Sequence, residues 1–95
     1  MTKHEKYYQE MIDANSDLFF EFQEIHDKYL LDYGMWQAKY NEIGAKVVEV
    51  VRIWEKKLCQ HSEKGTFGKF SGKLSDKFWD LVRKDYSKID FVGVT

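Results

Sequence analysis

The chain has no proline, one cysteine, two arginines and no long apolar run, and each scarcity excludes something. Without proline, no segment carries the strongest helix breaker. The lone Cys59 cannot close an intrachain disulfide, so a stapled secreted scaffold is excluded and the cytoplasm becomes the expected compartment. The opening MTKHEKYYQE is too polar for a signal peptide. No run approaches the ~18 apolar residues of a membrane span, so no membrane partner is expected. Arg52 and Arg83 are few for a helical enzyme that grips a dianionic substrate, because the guanidinium fork is what matches carboxylate and phosphate. Catalytic patterns are missing too. There is no G-x-S-x-G, and His4, His26 and His61 stand in no E-x-x-H or H-E-x-x-H spacing. Cys59 and His61 are two residues apart, which turns them about 200° away from each other on a helix. The expectation is a non-catalytic chain without metal or cofactor.

What is present argues for an ordered domain. Hydrophobic residues make up 43% of the 95 positions and aromatics 17%, too apolar for disorder despite 33% charged residues. The length fits one domain. The net charge of −1 hides an asymmetry. Residues 1–50 carry five basic and ten acidic side chains, a net of −5, and residues 51–95 carry ten and six, a net of +4.

Periodicity assigns the elements. In residues 35–62 the apolar positions Trp36, Tyr40, Ile43, Val47, Val50, Trp54 and Leu58 form an a/d seam of the coiled-coil kind, with Val51 widening it. In residues 4–31 two registers work, one through Tyr8, Met11, Asn15, Leu18, Phe22, Ile25 and Tyr29, the other through Ile12, Phe19, His26 and Tyr33. The buried face is therefore broad and meets two neighbours. The cluster Asn15-Ser16-Asp17 could start a new helix, but without proline or glycine there a continuous helix over 4–31 is expected. Asn15 would then either fix register on the seam or cap a helix beginning at Ser16. Gly34 is placed to supply the left-handed cap that ends the first arm. Residues 63–73 read as a glycine-rich loop, Ser75 as the cap of a helix over 75–86, and 87–95 as a short apolar tail.

The expected fold is all-α: a long antiparallel hairpin with arms of roughly 40 Å plus a short third helix of about 18 Å. A third helix that short leaves part of the hairpin stripe uncovered, and large exposed apolar patches are rare in monomers. The expectation is a homo-oligomer, dimer or higher, packed into a larger helical bundle. Tyr8, Tyr29, Tyr33, Trp36, Tyr40 and Trp54 are its candidate interface anchors. An unidentified protein partner would use the same face, so the function read is that of a scaffold, adaptor or accessory subunit.

Two other readings follow from the residues. Lys64, Phe67, Lys69, Phe70, Lys73, Lys77, Arg83 and Lys84 could meet nucleic acid, lysines on phosphate and phenylalanines on bases. The segment is no P-loop, since Lys73 is followed by Leu74 and no strand precedes it. A bland linker reading competes there, and nucleic acid is the less favoured partner. Glu21 and Glu24 form the E-x-x-E half of the carboxylate set with which all-α nucleotide pyrophosphohydrolases hold Mg²⁺. The E-x-x-D half that should follow is missing, which disfavours a hydrolase.

Overall fold

The computed structural model describes the backbone of residues 2–62 and 69–93 and the side chains of residues 2–60 and 74–93. The chain is all-α, as its periodicity predicts. Helix α1 spans Lys3–Ala14, α2 Ser16–Leu31, α3 Tyr33–Ser62 and α4 Lys69–Asp85, and a 3₁₀ turn covers Ile89–Phe91. The 30 residues of α3 run about 45 Å at 1.5 Å each, which accounts for the 48 Å long axis of the molecule.

α1 begins on a capping box. Thr2 Oγ1 accepts the Glu5 N–H at 3.3 Å and Glu5 Oε1 accepts the Thr2 N–H at 2.8 Å, so two otherwise orphaned donors are satisfied. The continuous first arm is not realised. It breaks at Asn15, whose backbone sits at φ −129°, ψ 35°. The Asn15 side chain makes no cap bond to α2; its Nδ2 donates back to the Met11 carbonyl at 3.0 Å. Asparagine thus competes for the backbone and closes α1 instead of opening α2. The break lets the two halves seat differently: α1 packs against α3 and α4, α2 chiefly against α3.

The reversal between α2 and α3 uses a single residue. Asp32 donates its N–H to the Lys28 carbonyl at 3.0 Å, ending α2. Its Oδ1 accepts the Met35 N–H at 3.0 Å, capping α3. Gly34 therefore lies inside the first turn of α3, and the left-handed cap expected of it is not used; the aspartate side chain does the capping instead.

Along α3 the buried positions are Tyr40, Ile43, Val47, Val51 and Leu58, while Trp36, Val50 and Trp54 are half-buried. The strict a/d seam drifts from Val50 to Val51 because 3.6 residues per turn do not divide seven. α4 starts six residues earlier than expected, so residues 69–73 are helix and not loop. Ser75 is not its cap: Ser75 Oγ donates to the Glu55 carboxylate, which also accepts Trp79 Nε1–H at 2.8 Å. Phe78 and Val82 enter the core, and Phe78 meets Tyr8 edge-on at 6.1 Å.

Candidate functional site

The apolar stripe of the hairpin is covered from within the chain at both ends. α4 lies over the Tyr8 end, where the Tyr8 hydroxyl donates to Asp85 at 2.6 Å. The segment after α4 lies over the Tyr40 end. Its docking is built from side chains that bond to main chain. His26 Nε2 accepts the Lys88 N–H at 3.2 Å, and the Tyr40 hydroxyl donates to the Lys88 carbonyl. Gln37 Nε2 donates to the Phe91 carbonyl at 3.4 Å, and Asn41 Oδ1 accepts the Gly93 N–H at 2.8 Å. Gly44 supplies the close approach: a Cβ there would stand 2.5 Å from Val92 Cγ2.

Under this segment runs a column of rings. Tyr29 stacks on Tyr40 with centroids 4.0 Å apart, Tyr40 on Phe22 at 5.4 Å, and Phe22 meets Tyr86 at 5.2 Å. Offset and tilted rings at such separations add to the stabilisation from area burial. Burial raises the hydroxyl pKa values of Tyr8, Tyr40 and Tyr86 above the ordinary tyrosine range. His26, 3% exposed, lies among Phe22, Tyr40 and Tyr86, and burial lowers its pKa. Asp27 opposes that shift and Lys88 reinforces it.

Of the seven large apolar side chains left exposed among the described residues, four flank the reversal, while Phe20 and Ile53 stand apart from it. Leu31 is 88% exposed, Met35 73%, Tyr33 47% and Leu30 42%, all within six residues around Asp32. Lys28 Nζ sits 5.0 Å over the Trp36 ring beside them. Lys88 Nζ lies 5.9 Å from the Tyr33 ring and 5.0 Å from that of Phe91, which extends the cluster to a fifth exposed side chain. These four side chains and Phe91 present on the order of 500 Å² of apolar surface, near the upper size that monomers carry.

Of the six anchors read from the sequence, Tyr8, Tyr29 and Tyr40 are buried inside the chain, so their surfaces are used internally; the hydroxyl of Tyr29 donates to Gln37 at 2.6 Å. Trp36 and Trp54 are half-buried, Trp54 between Tyr7 at 6.4 Å and Lys57 at 4.4 Å. Tyr33 alone of the six is exposed. Leu30, Leu31 and Met35 are not legible as a site in the sequence, because they stand off the seam and flank a turn where single apolar residues carry no periodic signal.

Lys64 and Phe67 lie outside the described residues, as do the side chains of Lys69, Phe70 and Lys73, whose backbone is helical. Lys77, Arg83 and Lys84 are exposed on α4. Arg83 is engaged by acidic neighbours, Asp90 at 3.1 Å and Asp80 at 3.6 Å, and Asp76 and Asp85 share the helix, so these cations form no stripe of one sign. Glu21 and Glu24 are exposed on α2. Among the described residues, no three His, Cys, Asp or Glu side chains converge as a metal site, and no helix is long and apolar enough to cross a membrane. One open groove of about 470 Å³ is lined by Ala45, Val48, Glu49, Arg52 and Val92. Set against known protein families, curated proteins and solved structures, the chain matches none.

Proposed function

We propose that this chain is a non-catalytic, cytoplasmic interaction module that self-associates through the closed end of its hairpin. The observation that carries the reading is the cluster Leu30, Leu31, Tyr33 and Met35, exposed together around a one-residue connection while the seam behind them is buried. The length mismatch inferred from the sequence no longer supplies the reason for association, since α4 and the segment after it cover the stripe. The tip does. Two tips in contact would bury about 1,000 Å² in total, the lower limit of a specific interface, so the dimer is weak and reversible.

The test is sedimentation over a wide concentration range, comparing the wild type with a Leu31→Lys, Met35→Glu variant. Lysine in the last turn of α2 and glutamate in the first turn of α3 both suit the helix dipoles, so helicity and melting temperature are kept. The wild type is expected to gain mass with concentration and the variant to stay monomeric. A wild type that sediments as a monomer throughout refutes the reading.

A further inference from the structure

Residues 87–93 touch the helical body through hydrogen bonds with His26, Tyr40, Gln37 and Asn41, the Arg83–Asp90 ion pair to α4, the burial of Ile89, and the seat of Val92 against Gly44. Of these contacts, only the one through His26 involves a group that titrates near neutral pH. Its Nε2 accepts the Lys88 N–H, which requires the neutral imidazole with its hydrogen on Nδ1. That Nδ1 is buried and has no hydrogen-bond partner among the described residues. A second proton would turn Nε2 into a donor facing the Lys88 N–H, with both ring nitrogens charged and unsatisfied.

The surroundings offer that cation little. From α2, Asp27 attracts it but is solvent-exposed; from α3 and the residue that follows α4 it faces Tyr40 and Tyr86, which stay neutral at such pH. The segment itself presents the Lys88 ammonium, which repels it. Relief is available without breaking a helix of the hairpin, because the segment joins α4 through the exposed Ser87. The packing of Met11, Leu58, Phe78 and Val82 lies among α1, α3 and α4 and keeps its own contacts.

We infer that residues 87–93 form a releasable strap for which His26 is the acid-sensitive latch: protonation of His26 undocks the strap and uncovers the apolar channel of Tyr40, Gly44 and Tyr86. The latch involves none of Leu30, Leu31 and Met35, although Phe91 and Lys88 of the strap border the tip at Tyr33.

The experiment is a heteronuclear NMR titration of the isotope-labelled chain from about pH 7.5 to about pH 5. The Lys88 and Gly93 amides and the His26 ring nitrogens are to move together, starting from the Nδ1–H tautomer. Between the ordinary histidine value of 6.5 and the lower folded-state value, the undocked fraction rises about tenfold per pH unit, because one proton is taken up on opening. His26→Gln keeps an oxygen acceptor for the Lys88 N–H and has no proton to gain, so its strap stays docked throughout. The proposal is overturned if H26Q titrates like the wild type, or if the Lys88 and Gly93 amides do not respond. It is equally overturned if the Met11 and Phe78 signals are lost in the same step. Should H26Q not fold, the wild type decides alone: different midpoints for the imidazole and the strap amides overturn the coupling.

Discussion

Replacing Gly44 by alanine sets two effects against each other that act on different equilibria. Glycine inside a helix costs about 1 kcal/mol relative to alanine, so the substitution stabilises α3 against global unfolding by roughly that amount. The new methyl, however, would stand 2.5 Å from Val92 Cγ2 and 2.9 Å from Cγ1, both on a stiff β-branched side chain. Overpacking of this kind costs about 1–3 kcal/mol. α3 is pinned along its length by the core, whereas Val92 belongs to a short segment, so the segment gives way. The clash therefore raises strap opening roughly 5- to 150-fold while the body stays as stable or gains slightly. Amide exchange reads both at once: Gly93, bonded to Asn41, loses protection, and the amides of α3 around Val47 and Val51 do not. Val92→Ala removes the two clashing atoms and leaves Cβ at 3.3 Å, a tight contact that a shift of a few tenths of an ångström in the strap relieves. The double variant is expected to re-dock, with a favourable coupling of about 1 kcal/mol or more in the cycle. Unchanged Gly93 protection in G44A, together with additivity within about 0.5 kcal/mol, would refute the reasoning.

Two further outcomes test the interior. Tyr8→Phe removes the 2.6 Å bond to Asp85 while keeping the ring against Phe78, and is expected to lower unfolding free energy by about 1–2 kcal/mol in urea denaturation; no change would mean that water replaces the bond at no cost. Tyr8, Tyr40 and Tyr86 have folded-state pKa values raised above 10.0, so the stability they confer is whole below pH 10 and is lost as pH climbs from there towards the folded values. Denaturation melts at rising alkaline pH should show this loss, with the share of the tyrosinate absorbance contributed by these three hydroxyls appearing together with unfolding.

Much of the fold could be read locally. The spacings from Trp36 to Leu58 assigned α3, and the two registers through Tyr8 and Phe22 announced a face wide enough for two neighbours. The structure supplies those neighbours as α3 with α4 for one half and α3 with the strap for the other. The reversal was placed correctly but given to the wrong residue, since Gly34 and Asp32 both carry turn chemistry and only the geometry of Asp32 Oδ1 towards the Met35 N–H decides between them. The start of α4 was misplaced because glycines in residues 65–72 read as loop, although an isolated glycine is tolerated inside a helix whose other face is buried.

The candidate sites were harder to read. Tyr8, Tyr29 and Tyr40 looked like anchors because aromatic rings on a stripe suit an interface and a core equally well. The bonds that dock the strap join residues 62, 48, 54 and 52 positions apart, and no periodicity reports a pairing over such distances. Composition and the 3.6-residue period determined, by themselves, that the chain is helical and folds back as a hairpin, because those signals act within a few turns of backbone. Which apolar side chains are spent inside, and which are left at the tip, only the tertiary structure decided. Burial is a property of what arrives from elsewhere in the chain, and here α4 and the strap arrive over Tyr8 and Tyr40 and stop short of Leu31 and Met35.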